Sequence, residues 1–152
     1  MRGSGGAVVV EYGDYECPYC ARADMLLGEL APAVTLAFRH FPVVSKHPRA
    51  RVLACAAEAA ALQGAFWEMH DSLFADQGRL DPPHLWDRVR ALGLDLDRFE
   101  EDRRSPEVEE RIERDFRSGV RAGVMTTPTL FVEGEAFAGV PDRALIEGLR
   151  AR

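Results

Sequence analysis

The first apolar run, AVVVEY (Ala7 to Tyr12), is short and rich in β-branched residues, and it predicts a buried strand. GDYECP then turns the chain. Through CARADMLLGELA the apolar residues recur at helical spacing until Pro32 stops the pattern. Pro18 falls in the first turn of this helix, where its missing N–H has no helical partner to lose. AVTLAFRHFPV (Ala33 to Val43) reads as a second strand, ending at Pro42. Strand, helix and strand with no room for a hairpin predict a right-handed βαβ unit with parallel strands.

A long helical stretch follows. PRARVLACAAEAAALQ is Ala-rich and a strong helix former. AFWEMHDSLFADQG sets Phe66, Trp67, Met69, His70, Leu73 and Phe74 at helical spacing and ends near Gly78. DPPHLWDRVRALG opens with Asp81 as N-cap and runs to Gly93. LDLDRFEEDRR and SPEVEERIERDFRSGVRAG are charged amphipathic helices, the second started by Ser105-Pro106-Glu107, and their charges are expected on solvated faces. TPTLFVEGEAFAG then reads as strand, turn and strand about Glu133-Gly134-Glu135, and PDRALIEGLRAR as a closing helix. The division expected is a first half over residues 1–48, a helical insertion over 49–123 and a second half over 124–152, packed as one compact unit.

Composition narrows the functions. The chain has 152 residues, 47% hydrophobic and 29% charged, enough for one domain with a real core. Its net charge of -6 makes nucleic acid an unexpected partner. No apolar run approaches the roughly 20 residues of a membrane span, so none is expected. MRGSGGAVVVEY lacks an apolar leader and a cleavage site, so the chain as written is expected to be cytoplasmic. GSGG is flexible-linker chemistry, and a segment trimmed from the front would make the expected location extracytoplasmic, in the periplasm.

DYECPYCARAD holds two cysteines, Cys17 and Cys20, between a strand and a helix. There is no second CxxC, Cys55 stands alone on an Ala-rich helix, and His40, His47, His70 and His84 lack paired spacing. A four-ligand zinc site is therefore not expected. A bridge closing so small a loop adds little stability. Three cysteines are also an odd number for a stapled scaffold. Redox exchange has a mechanism instead. Cys17 stands at a helix N-terminus, where free N–H groups and the dipole favour a thiolate. Cys20 lies one turn further in, close enough to resolve a mixed disulfide on Cys17. CxxC within a βαβ unit is the context of a thioredoxin-like motif.

Two distant residues complete the constellation. In a thioredoxin-type fold the loop at Thr127-Pro128 lies beside the CxxC with a cis bond, which exposes the backbone of Thr127 for pairing with an extended peptide. A trans proline at a strand start is the plainer reading, and the upstream CxxC favours cis. Glu11 sits in the otherwise apolar first strand, six residues before Cys17. It is either an edge residue with access to water or a buried carboxyl that accepts and returns the proton of Cys20. The second is the expectation.

Four motifs together carry a family resemblance over nearly the whole chain: VVEYGDYECPYC (Val9 to Cys20), FRHFPV…HP (Phe38 to Pro48), QGAFWEMHDSLF (Gln63 to Phe74) and TPTLFVEG (Thr127 to Gly134). The chain resembles the DsbA-like thiol:disulfide oxidoreductases of the thioredoxin superfamily, including domains of this kind fused to sodium/proton antiporters. The resemblance implies an α/β thioredoxin fold with an inserted helical domain, and disulfide exchange with protein substrates. It implies Cys17 as nucleophile, Cys20 as buried resolving thiol, Glu11 in the buried acidic position, and Pro18, Tyr19, Thr127 and Pro128 facing substrate. No cofactor is implied beyond the redox-active disulfide, with glutathione or a partner oxidoreductase as recycling agent. Tyr19 stands where the strongest oxidants of the family carry His, so a less oxidising protein is expected. No strand is apparent before AVVVEY, and a monomer is expected. Cys55 is read as a small buried helix residue, Phe66, Trp67 and Phe74 as core, and His70 as a hydrogen-bonded helix histidine. Two alternatives remain: a glutathione-dependent isomerase or transferase on the same fold, whose members usually lack CxxC, and a non-catalytic redox-sensing domain.

Overall fold

The computed structural model describes residues 1–152. It opens with β1 (Ala7–Gly13), α1 (Pro18–Gly28) and β2 (Val34–His40), and the two strands pair in parallel, Ala7 opposite Val34 through Gly13 opposite His40. Five helices follow: α2 (Ala50–Ala61), α3 (Phe66–Ala75), α4 (Pro82–Ala91), α5 (Leu96–Asp102) and α6 (Pro106–Arg121). The chain then returns to the sheet as β3 (Thr129–Val132) and β4 (Glu135–Ala138) and closes with α7 (Arg143–Arg150). The sheet order is β2-β1-β3-β4, with β3 antiparallel to β1 and β4. This is the mixed α/β thioredoxin arrangement, with a block of helices between its two halves.

Alternation along β1 explains how the layers form. Ala7 and Val9 point to one side. There they are buried with Leu27 of α1, Val34 and Leu36 of β2, Leu130 and Val132 of β3, and Ile146 and Leu149 of α7. Glu11 is the next residue in that same row. Tyr12 points the other way, packs on Phe41 and Val124, and bonds Ser118 of α6 at 2.8 Å. A second and larger cluster joins Tyr15, Cys17, Cys20 and Phe38 to Leu53, Met69, Leu73, Leu85 and Phe99. The helical block and the CxxC segment thus share one apolar core.

Element ends differ from the sequence reading for local reasons. α1 stops at Gly28, and residues 29–33 continue in tight turns through the cis Ala31–Pro32 bond. β2 covers Val34–His40, with one more main-chain bond from Phe41 N–H to Gly13 O at 2.9 Å before Pro42. Ahead of β1, Arg2 makes a single antiparallel bridge to Leu36. Glu133 and Gly134 both have positive φ, 51° and 82°, the pairing of a tight type I′ hairpin. Ser105, Asp95 and Asp142 cap α6, α5 and α7 through their side chains. Asp81 occupies the cap position of α4 without making the cap bond, and its carboxylate pairs with Arg49 at 2.7 Å.

Candidate redox site

The loop between β1 and α1 is held bond by bond. Cys17 N–H donates to Asp14 O at 3.1 Å, and Glu16 N–H to Asp14 Oδ1 at 2.9 Å. Cys17 occupies the N-cap of α1 with extended backbone, φ -79° and ψ 119°, and Pro18 opens the helix. Both CxxC thiols are free and buried. The Cys17 thiol donates to the carbonyl oxygen of Thr127 across 3.6 Å. The Thr127–Pro128 bond is cis, as the sequence reading expected.

The two thiols have opposite electrostatics. Hydrogen bonding from the Cys20 thiol lowers the pKa of Cys17 to about 6. Burial opposes that shift, and the backbone of Cys20, the Thr127 side chain and the backbone of Tyr19 reinforce it. The same interaction, now seen from the donor, pushes Cys20 far above the thiol range, and burial and the charges of Glu11 and Cys17 push it further. One thiol thus ionises near neutrality because its neighbour keeps its proton.

Glu11 is buried, on a strand with neighbours on both sides, so it is no edge residue. Its Oε1 has no hydrogen-bond partner. Burial raises its pKa well above the carboxylate range, and the charges of Asp24 and Cys17 add to the effect. The carboxyl and the Cys20 thiol are coupled through space.

A cleft of about 460 Å³ opens beside Cys17. Pro18 and Tyr19 form one wall, the segment from Val43 to His47 another, and Met125 to Thr127 a third. Tyr19 is 59% and Met125 95% exposed, so the mouth presents apolar surface to solvent. Pro128 is buried directly behind Thr127. The wall at Val43 is fixed by the buried Asp14, whose Oδ2 accepts from Val43 N–H at 3.0 Å and pairs with His47 Nδ1 at 2.8 Å.

The structure therefore gathers Cys17, Cys20, Glu11, Pro18, Tyr19, Thr127 and Pro128 around one point. It adds residues that sequence patterns did not single out. Asp14 anchors the cleft wall. The hydroxyl of Tyr15 bonds His70 Nδ1 at 2.8 Å, and His70 Nε2 bonds Asp24 at 2.6 Å. Gln77 donates to the carbonyls of Tyr15 and Cys17. Only His70 carried a signal, its place in a helical apolar row. Asp24, His70 and Asp71 also offer ligand atoms within 4.8 Å of one another. Asp24 is committed to His70 there, and Asp71 to Arg2 at 2.6 Å. Cys55 is buried on α2 away from the CxxC, and burial, with Glu109 beside it, pushes its pKa up to about 11.

A family model for the DSBA-like thioredoxin domain matches residues 43–149, most of the chain though not the CxxC itself. The chain belongs to the DSBA-like thioredoxin domain family. It is similar in structure to a thioredoxin-like oxidoreductase from Silicibacter pomeroyi, with a TM-score of 0.85, 29% identity, and coverage of 97% of this chain and 86% of that one. Pseudomonas aeruginosa DsbA2 superposes with a TM-score of 0.78 at 26% identity, covering 97% of this chain and 89% of that one. In sequence the chain is 47% identical over 134 residues to a Na(+)/H(+) antiporter NhaA 1 of Salinispora arenicola. That match covers 86% of this chain but spans about a fifth of the antiporter's length, 21%. No helix here is long and apolar enough to cross a membrane.

Proposed function

We propose that the protein catalyses thiol–disulfide exchange with protein substrates through Cys17 and Cys20. The observation that carries this reading is the inequality of the two thiols, one lowered to about 6 and the other held protonated beside it. The Cys17 thiolate attacks one sulfur of a substrate disulfide; the Cys17–substrate bond forms as the substrate S–S bond breaks, and a substrate thiolate leaves. The mixed disulfide removes the Cys17 charge that helps keep Glu11 protonated; Glu11 in its ionised form then takes the proton of Cys20, which attacks Cys17, forming the Cys17–Cys20 disulfide and releasing the second substrate thiolate. Two electrons pass from the dithiol to the substrate. The reverse sequence oxidises a substrate dithiol and returns the pair to its reduced form. A second thiol–disulfide couple, glutathione or a partner oxidoreductase, resets the pair in either direction.

Substrate lies in the cleft at Cys17. Thr127, backed by the buried Pro128, faces it on one side, and Pro18 and Tyr19 on the other. An extended peptide pairs with the backbone at Thr127, placing its sulfur by Cys17. Direction of flow follows from the reduction potential, for which about -270 mV marks thioredoxin and about -120 mV DsbA. Tyr19 supplies no cation to the thiolate, which favours a value below the oxidant end.

The test uses the full chain in two assays, reduction of insulin disulfides and oxidative refolding of a reduced, denatured protein. The expected result is turnover in at least one, lost in Cys17→Ser and replaced by trapped mixed disulfide in Cys20→Ser. Rates equal to those of Cys17→Ser in both assays would overturn the reading and leave a redox-sensing domain.

A further inference from the structure

The helical block reaches the CxxC loop through one side chain that the exchange chemistry does not use. Gln77 lies in the turn after α3, sixty residues from Cys17 in sequence. Its Nε2 donates to Tyr15 O at 2.9 Å and to Cys17 O at 3.0 Å. Both partners are carbonyl acceptors, so the amide nitrogen, and not its oxygen, must face the loop. One amide group supplies two hydrogens, and both are used. The hydroxyl of Tyr15 is held in turn by His70 Nδ1 at 2.8 Å, so this residue is tied at both ends to the same stretch of chain, α3 and its C-terminal turn.

These bonds complete the polar accounting of the loop. Asp14 O takes Cys17 N–H, Asp14 Oδ1 takes Glu16 N–H, and Cys17 O takes Ala21 N–H at 3.2 Å besides Gln77. Tyr15 is 1% exposed, and Gln77 is the partner its carbonyl has in place of water. The orientation of the Cys17 peptide decides where the sulfur sits relative to the first turn of α1. With the peptide fixed, the N–H groups of Tyr19 and Cys20 face the sulfur. With it free to rock, they are shared with water.

We propose that Gln77 is a positioning residue for the CxxC: its side-chain amide fixes the Tyr15–Cys17 backbone and so keeps the Cys17 sulfur over the N-terminus of α1. The inference rests on the exchange reading and assigns a residue of the helical insertion to the redox half. The groups that face Cys17, namely Cys20 on α1, Glu11 on β1, Tyr19, and Lys46 and His47 on the cleft wall, are left in place when Gln77 is changed.

The experiment compares the full chain with Gln77→Met, which keeps length and neutrality but has no donor, and with Gln77→Ala. The pH dependence of Cys17 alkylation by iodoacetamide is followed together with Tm. The expected result is a rise of the Cys17 midpoint by at least about half a pH unit in both variants, which is roughly a threefold loss of thiolate at about pH 5, below the midpoint, and only a small one at neutral pH. A lowered Tm with an unchanged midpoint would show that Gln77 only packs, and would overturn the proposal. If Gln77→Met does not fold, Gln77→Ala decides by the same midpoint. An ordinary thiol midpoint in the unsubstituted protein is a different failure, that of the exchange reading itself.

Discussion

The sulfur of Cys17 lies 3.6 Å from the backbone carbonyl oxygen of Thr127, although 110 residues separate the two. The contact joins the two halves of the fold at the nucleophile. The Thr127 side chain also helps stabilise the Cys17 thiolate, behind the contributions of Cys20 and against that of burial. Thr127→Val keeps the shape and removes the hydroxyl. The variant should stay folded, within about 1–2 kcal/mol of the parent, and the alkylation midpoint of Cys17 should rise. Alkylation rates from about pH 4 to pH 9 check this.

Glu11 gives a prediction about stability with a definite sign. Burial raises its pKa in the folded protein above the value near 4.5 of an exposed carboxyl. The folded state therefore holds a proton that the unfolded chain releases. That contribution is fully present below about pH 4.5 and is lost as pH rises through the raised pKa. Glu11→Gln removes the dependence. The variant should gain stability relative to the parent as pH rises from about 4 to 8, on the order of 1–3 kcal/mol, the range for a buried polar group left unpaired. Urea unfolding at both pH values measures it. The same variant should resolve mixed disulfides at least about tenfold more slowly, since it lacks a base for Cys20.

Asp14 is fully buried and accepts from Glu16 N–H, Val43 N–H and the ring of His47. Asp14→Ala leaves two half-buried main-chain donors, Glu16 N–H and Val43 N–H, without their partner and frees the cleft wall. A loss of about 2–4 kcal/mol is expected in urea unfolding, with a larger KM for a protein substrate. Asp14→Asn retains part of the bonding and should fall between.

How far the sequence reveals this site depends on how far apart its parts lie. The CxxC, Pro18 and Tyr19 are contiguous, and their place between a strand and a helix follows from local periodicity. Thr127-Pro128 and Glu11 become visible only because the CxxC tells a reader which fold to expect. Glu11 further needed the sheet order, since β1 lying between two neighbours is what removes the edge alternative. Asp14, Gln77 and the chain Tyr15–His70–Asp24 have no local pattern at all. Apart from the local bond of Asp14 to Glu16 N–H, their side-chain partners come from loops and helices 29 to 62 residues away, so tertiary packing defines their roles. Asp81 shows the converse: its sequence context suits an N-cap, and a cation from another element takes its carboxylate.

Tyr19 is the residue through which the potential should be adjustable. It is exposed at the cleft mouth and contributes a backbone N–H, but no side-chain charge, to Cys17. Tyr19→His places a titratable cation there. The alkylation midpoint of Cys17 should fall below the parent's, and the potential measured against glutathione should rise by tens of millivolts, about 30 mV for each 1.4 kcal/mol of added preference for the reduced form. Stability of the fold should change little, because the side chain is solvated.

The unequal thiols are tested most directly by alkylating the reduced protein with iodoacetamide across pH and reading each cysteine separately by peptide mass. Cys17 should react with a midpoint near pH 6, well below Cys55, whose pKa is pushed up to about 11. Cys20 should stay unmodified through the neutral range. A Cys17 midpoint near the ordinary thiol value of about 8.5, or equal rates at Cys17 and Cys55 in mildly acidic solution, would contradict the account.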